Sequence, residues 1–255
     1  MTITSEEQRV TLVEAGRRLA QVLAALRTKI APGVSTEDLD DLAEAQIRDG
    51  GDEPCFLGYT PDGAVRPYPA TLCVSINDEV VHGIPNESPK ILKEGDIVSL
   101  DLGLTHNGII VDAAITVPVG VVDAESTKLM RATEEALAAG IKVAKAGVNL
   151  GNVSHAIQDV VERAGFKVVR DLGGHGVGER VHEEPFIANF GRVGEGPELK
   201  EGMVLALEPI STAGKAAVVL ASDGYTYRTK DGSRSAHFEH TILIEKAGAC
   251  IVTEL

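Results

Sequence analysis

Four carboxylates stand in strand-like stretches of mostly apolar sequence: Asp101, Asp112, Glu208 and Glu239. A carboxylate buried without compensation is costly, so each of these needs a partner. Asp101 and Asp112 are separated by a His-Asn-Gly turn signal, and a hairpin there would return the second aspartate beside the first. Acids that flank a turn on the surface would show the same pattern. A cation shared between the two aspartates is the functional interpretation.

Three histidines are candidates to join these acids. His175 and His182 flank a glycine-rich run, and the Gly-His-Gly-Val around His175 echoes the Val-His-Gly-Ile around His82. A single such histidine is usually structural, but carboxylates and imidazoles without thiolate spacing form a ligand set that suits hard or borderline divalent ions. Four carboxylates around one histidine favour two ions. Such a pair, roughly 3.5–4 Å apart, can hold a water or hydroxide between them and polarise a carbonyl for hydrolysis.

Composition excludes several other classes of function. The chain has 255 residues and a formal charge of −14, so a nucleic-acid partner, which would need clustered Lys and Arg, is not expected. Neither a signal peptide nor a membrane-spanning stretch is indicated. The odd set of Cys55, Cys73 and Cys250 has no Cys-x-x-Cys spacing, which argues against disulfides and a thiolate zinc site. We therefore expect a cytoplasmic protein that does not bind membranes.

The elements that must position these residues follow one order twice: helix, helix, strands. A capping box at Ser5 starts a helix that runs to about Thr28, and Ser35 caps a second helix that ends at Gly50. Strands are predicted between Thr71 and Val122. The same order then returns, with a helix over 123–146, a helix capped by Asn149 or Asn152 that ends near Gly165, and strands from Lys167 onward.

Short echoes in the letters support a repeat. Leu-Lys-Glu-Gly occurs at 92–95 and 199–202, and six residues after each glycine stands Asp101 or Glu208. Pro-Gly-Val at 32–34 is likewise echoed by Ala-Gly-Val at 146–148. We predict one catalytic domain over 1–255 with related halves at about 1–122 and 123–255. The site should lie between them, each half giving a His and a carboxylate at equivalent places.

The motifs together resemble the methionine aminopeptidases of metallopeptidase family M24, over nearly the whole chain. They occur in the family's order and at its spacing: 73–85 with His82, Asp101, Asp112, 174–178 with His175, 181–185 with His182, Glu208-Pro209 and 239–241 with Glu239. The resemblance implies an α/β "pita-bread" fold, in which two pseudo-symmetric halves pack helices on antiparallel sheet. Only 31 positions separate Glu208 from Glu239, which leaves no room for the type II insertion, and the N-terminus lacks the zinc-binding extension of eukaryotic type I enzymes. The short bacterial type I form is the one implied.

The resemblance also implies roles for particular residues. The chain would release the N-terminal initiator methionine from nascent proteins and peptides, preferring a small second residue. His82 and His182 would contact the substrate and act in catalysis, and Glu208 would also handle the proton of the water. Two divalent ions (Co, Mn, Fe or Zn) would be held by five ligands, of which Asp112 and Glu239 would bridge both: Asp101, Asp112, His175, Glu208 and Glu239.

The methionine pocket is where this chain departs from the commonest family pattern. Tyr68, Phe56, Cys73 and Tyr225 are the candidates for lining it. Val181 replaces the usual aromatic residue, Arg66 stands where a further substrate-binding histidine is frequent, and the loop over 58–70 is longer than usual.

Two other functions compete with this one. An Xaa-Pro peptidase of the same fold would carry a similar ligand set, and a non-catalytic binding module would usually have lost some of the ligands. The expected partners of the aminopeptidase are nascent polypeptide N-termini, with ribosome association left open, and a monomer is expected.

Overall fold

A computed structural model describes residues 1–254 and contains the predicted succession of elements twice. The helices are α1 (Glu6–Lys29), α2 (Thr36–Asp49), α3 (Ala124–Val143) and α4 (Leu150–Arg163). The first-half strands are β1 (Glu53–Pro54), β2 (Leu72–Ile76), β3 (Glu79–Val81), β4 (Ile97–His106) and β5 (Ile109–Pro118). The second-half strands are β6 (Lys167–Val168), β7 (Gly173–Gly176), β8 (Glu183–Ala188), β9 (Val204–Leu207), β10 (Ile210–Thr212), β11 (Val218–Leu220), β12 (Tyr227–Thr229), β13 (Ser235–His237), β14 (Glu239–Ile244) and β15 (Ala249–Ile251).

Side-chain caps begin three of the helices where the sequence predicts. The Ser5 hydroxyl accepts from the Gln8 N–H, the Ser35 hydroxyl accepts from a backbone N–H at the start of α2, and Asp123 caps α3. Asn149 is the N-cap of α4, yet its side chain makes no capping bond and donates instead to the carbonyl of Gly196. The four predicted helices are therefore confirmed, with ends that shift by one to three residues.

A nine-stranded sheet joins the two halves. Its main path runs β1-β4-β5-β14-β9-β7-β8, with β2 added to β4 and β15 added to β14. The buried side chains of α1 and α2 share one apolar core with β4 and β5, while those of α3 and α4 share a second core with β9 and β14. Each half thus covers its own strands with its own helix pair, and β5 meets β14 at the centre.

Equivalent hydrogen bonds occur within each of the two halves and confirm the pseudo-symmetric α/β fold. Gly33 donates to the Leu92 carbonyl at 2.8 Å, and Gly147 donates to the Leu199 carbonyl at 2.9 Å. Both glycines have a positive φ, of 94° and 85°, which residues with a Cβ rarely adopt. The echoed letters before β4 and β9 therefore mark equivalent turns that begin equivalent strands.

One predicted equivalence is wrong. On β2, Ser75 lies opposite Ser99 of β4, and on β7, His175 lies opposite the equivalent residue of β9, Ala206. The counterpart of His175 is therefore Ser75. His82 comes directly after β3 and has a φ of 57°. The resemblance of the letters around the two histidines does not reflect equivalent places in the sheet.

Within residues 1–254, none of the helices combines the length and the apolar character that a bilayer crossing requires.

Candidate metal centre

The β4–β5 hairpin brings the two aspartates together as the sequence predicts. Asp112 on β5 lies opposite Gly103 on β4. Asp101, two residues before Gly103, lies opposite Ala114, two residues after Asp112. Residues two apart on a strand face the same side, so both carboxylates project from one face of the hairpin. Both side chains are buried, with 7% of Asp101 and 3% of Asp112 exposed.

The second half brings its donors to the same face. Glu239 begins β14 opposite Ala114, and His175 on β7 lies two strands further away. The ligating atoms of Asp112, His175 and Glu239 all lie within 4.8 Å of one another. Glu208 follows β9, and its Oε1 is 3.6 Å from Nε2 of His175. Donors distant in sequence therefore meet where the two halves join.

The chemistry of this group of side chains fits divalent cations. Asp101, Asp112 and Glu239 each have one buried carboxylate oxygen with no hydrogen-bond partner among the described residues. His175 donates from Nδ1 to the Gly176 carbonyl at 2.9 Å, which leaves Nε2 free to bind an ion as a neutral imidazole. Unpaired buried oxygens and a preset imidazole are what a carboxylate-rich metal site requires.

The electrostatics of the group point the same way. Burial, reinforced by the neighbouring carboxylates, raises the pKa of Asp112 and of Glu239 well above the usual range. Burial also raises the pKa of Asp101 to about 6. Like charges crowded in a dry place resist ionisation until a cation compensates them.

His237 belongs to this group, although our sequence reasoning missed it. Its side chain is almost fully buried, and its Nε2 lies 3.3 Å from Oε2 of Glu208 and 3.8 Å from Oε2 of Glu239. Burial pushes the pKa of Glu208 up, but the interactions with His237, His175 and His182 together outweigh it, so that the pKa of Glu208 is lowered. The available signal was the strand alternation in Ser-Ala-His-Phe-Glu, which puts His237 on the face of Glu239.

His82 and His182 border the acids without joining the tightest group. Burial lowers the pKa of each to about 4, so both imidazoles are neutral near pH 7. The rings of His182 and His175 meet edge to face at 4.5 Å. The Tyr59 hydroxyl lies 3.0 Å from Nδ1 of His182, which leaves Nε2 free to contact another molecule.

Comparison with known proteins gives the family. The model of Metallopeptidase family M24 matches residues 11–246. The methionine aminopeptidase of Aquifex aeolicus is 46% identical over 95% of this chain and 94% of its own length. In the solved structures, the methionine aminopeptidase of Thermotoga maritima has a TM-score of 0.94 and 44% identity, covering all of both chains.

The chain belongs to the methionine aminopeptidases of metallopeptidase family M24. Prolidase from Pyrococcus furiosus is also similar, with a TM-score of 0.76, but at 22% identity and over 66% of that chain the likeness shows only a shared fold. Both findings confirm the pita-bread architecture expected from the sequence.

A pocket opens beside the acids of this methionine aminopeptidase. All four predicted lining residues border it: Phe56, Tyr68, Cys73 and Tyr225. Tyr59, Pro61 and Val181 also line it, and the sequence reasoning did not place the first two there. The pocket is thus continuous from the carboxylates to an aromatic and apolar wall.

The long loop over 58–70 is held in place over this pocket by contacts at its far end. Arg66 forms a bidentate pair with Glu87, donates to the Asp223 carbonyl and lies over the ring of Tyr225. The Tyr225 hydroxyl donates in turn to the Arg66 carbonyl. The guanidinium of Arg66 is thus paired with Glu87, and Arg66 is not among the residues that line the pocket.

Proposed function

We propose that the chain releases the N-terminal methionine of nascent proteins and peptides, with preference for a small second residue. The single observation that carries this proposal is the group of buried, unpaired carboxylate oxygens that borders an apolar and aromatic pocket. A metal centre beside such a pocket can bind one apolar side chain next to the bond that is cut. The names of the similar proteins support the choice of methionine for that side chain.

Five residues would hold two divalent ions, and Mn, Fe, Co and Zn all suit them: Asp101, Asp112, His175, Glu208 and Glu239. Asp112 and Glu239 meet at the contact between β5 and β14, which suits them to serve both ions. When bound, such ions supply an activated water and polarise the carbonyl of the scissile bond. Glu208 would take and return the proton, since its lowered pKa keeps the carboxylate ionised as a base.

His82 and His182 would act on the substrate. Both are neutral near neutral pH because burial lowers their pKa to about 4, so each can donate one hydrogen bond to a carbonyl or amide without adding charge. Tyr59 would hold His182 in orientation through its hydroxyl. The methionine side chain would lie against Phe56 and Tyr68, with Cys73 and Tyr225 completing that wall.

The setting follows from this activity. The substrate would be the N-terminus of new chains in the cytoplasm. The enzyme would act as a monomer with one catalytic domain over 1–255, and ribosome association is left open. An Xaa-Pro peptidase is less favoured because the prolidase likeness extends to the fold alone. A non-catalytic module is less favoured because all five ligand positions have a residue that can bind a metal ion.

Peptide hydrolysis by metal-stripped protein, with and without added Mn²⁺, tests the proposal. We expect Met-Ala-Ser to be cut only when metal is present, and Met-Lys-Ser and Ala-Pro-Ala to be cut far more slowly. Equal rates on Met-Ala-Ser and Met-Lys-Ser would contradict the preference for a small second residue. Preferential cleavage of Ala-Pro-Ala would replace the proposal by the Xaa-Pro alternative.

A further inference from the structure

His237 occupies in the second half the place that Asp112 occupies in the first. Asp112 lies opposite Gly103, two residues after Asp101 on β4. His237 lies opposite Ile210, two residues after Glu208. Because Asp101 and Glu208 are themselves equivalent, the register assigns equivalent positions to Asp112 and His237. The letters give no sign of this relation, since an aspartate and a histidine share no sequence echo.

A pair of threonines repeats the relation in hydrogen bonds. The Thr241 hydroxyl accepts from the Asp112 N–H at 2.9 Å and donates to the Asp112 carbonyl at 2.8 Å. The Thr116 hydroxyl accepts from the His237 N–H at 2.8 Å and donates to the His237 carbonyl at 2.7 Å. Each threonine hydroxyl thus bonds both the N–H and the carbonyl of a residue whose side chain enters the group of acids. The backbones of His237 and Asp112 are therefore held by the same pair of hydrogen bonds.

The ring nitrogens of His237 are buried and form no well-aligned hydrogen bond with any of the described residues. The residue is 1% exposed. The nearest acceptors are Oε2 of Glu208 at 3.3 Å and Oε2 of Glu239 at 3.8 Å. A buried N–H without an acceptor is costly, so a small rotation of the Glu208 carboxylate that completes the bond is favoured.

The other oxygen of Glu208 faces a different way. Its Oε1 lies 3.6 Å from Nε2 of His175, whose free nitrogen is directed at the group of acids. The carboxylate of Glu208 therefore lies between two imidazoles, one near each oxygen.

We propose that His237 is a positioning residue for Glu208: its Nε2–H donates to Oε2 and leaves Oε1 as the oxygen that faces the metal. This inference rests on the proposed metal centre. Groups that orient a metal ligand by hydrogen bonds commonly change metal affinity by about 10–100-fold when they are lost. His237 should therefore affect metal binding without being a ligand itself.

Calorimetric titration of the metal-stripped protein with Mn²⁺ tests the proposal with a matched pair of variants. In His237→Gln the amide nitrogen lies near the position of Nε2 and can still donate to Glu208, whereas in His237→Asn it lies near Nδ1 and is too short to reach. We expect the glutamine variant to bind Mn²⁺ within about threefold of wild type and the asparagine variant to bind about 10–100-fold more weakly. His237→Leu, which buries no unpaired polar group, should behave like the asparagine variant. Thermal melts of the stripped proteins show which variants are folded.

Three results separate the possible failures. Wild-type affinity in folded His237→Asn or His237→Leu would overturn the positioning role. Equal loss in the glutamine and asparagine variants would also overturn it, and it would make His237 a ligand if pulsed EPR of the Mn²⁺-loaded wild type showed two coordinated nitrogens where the variants show one. Absence of Mn²⁺ binding by the wild-type protein would instead contradict the metal centre of the proposed function.

Discussion

The two halves of the molecule share one frame but not one set of donors. Equivalent turns, strands and threonine hydrogen bonds recur in both. At three equivalent positions in the site, the first half has two carboxylates and a hydroxyl, while the second half has one carboxylate and two imidazoles. These pairs are Ser75 and His175, Asp101 and Glu208, and Asp112 and His237.

The consequence of this difference is electrostatic. Burial acts on Asp112 and Glu208 alike, yet the pKa of Asp112 is raised and that of Glu208 is lowered. Glu208 lies within 3.6 Å of two imidazole nitrogens, whereas the nearest one to Asp112 is 4.0 Å away and the charges of Asp101 and Glu208 raise the pKa of Asp112 further. Asp101 and Asp112 of the first half and Glu239 of the second therefore need a cation to compensate them, while the imidazoles of the second half lower the pKa of one ligand, Glu208. The two halves thus place their side chains at equivalent positions, and the different side chains at those positions set the pKa of each acid.

The largest expected effect comes from removing a donor at the seam between the halves. Asp112→Asn on one side and Glu239→Gln on the other should each lower kcat/KM for Met-Ala-Ser by at least about 10³-fold, because several kcal/mol of charge stabilisation are lost. Metal analysis should find fewer than two ions per chain in both variants. If only one variant were impaired, the ions would belong to one half rather than to both.

The next largest effect concerns the two histidines that border the acids, one from each half. Alanine at His82 or at His182 should lower turnover by about 10²–10⁴-fold, the usual worth of a positioned polarising or proton-handling group. The metal content of both variants should stay that of wild type, since neither side chain is among the five proposed ligands. Loss of bound metal in either variant would reassign that histidine to the metal.

Some of this site could be predicted from the sequence, and some could not. Caps and turn glycines are local signals, so the helices and the β4–β5 hairpin with its two aspartates follow from the letters alone. The equivalence of Asp112 and His237 depends on a strand register that continues from the β9–β14 pair to the β10–β13 pair, which no local signal encodes. For the same reason the echo between His82 and His175 misled: it matched letters, whereas the sheet matches positions.

Tyr59 offers a smaller test, because it reaches from the first half to a histidine of the second. Tyr59→Phe removes the hydroxyl that lies 3.0 Å from Nδ1 of His182 and keeps the ring that packs edge to face on it. The loss of one hydrogen bond, worth about 1 kcal/mol, should lower kcat by roughly three- to tenfold. A kcat equal to that of wild type would show that packing alone orients His182.

The smallest effect concerns Asp40, a buried acid on α2 that lies outside the metal centre. Asp40 accepts from the backbone N–H groups of Thr71 and Leu72, and burial raises its pKa from 3.8 to about 6. The folded protein therefore keeps this proton up to a higher pH than the unfolded chain, so stability is lost as the pH rises from about 4 to 6. In Asp40→Asn that loss should disappear, because an amide does not titrate and its oxygen can still accept from the Thr71 and Leu72 N–H groups.

The check is the difference in free energy of unfolding between Asp40→Asn and wild type, followed from pH 4 to 8 in urea melts. It should grow in favour of the variant up to about pH 6 and then stay level. A difference that is flat over the whole range would mean that the Asp40 carboxylate titrates normally.

Thermal melting of metal-stripped Asp101→Asn beside metal-stripped wild type, at about pH 8, tests the central claim most directly. If the carboxylates form one crowded anionic site, removing a charge relieves repulsion, so the stripped variant should melt no lower than stripped wild type. Added Mn²⁺ at about a thousandfold above its dissociation constant should stabilise wild type by about 4 kcal/mol and the variant by less. A stripped variant that melts well below stripped wild type, with no gain in either protein from Mn²⁺, would contradict a metal centre built from these acids.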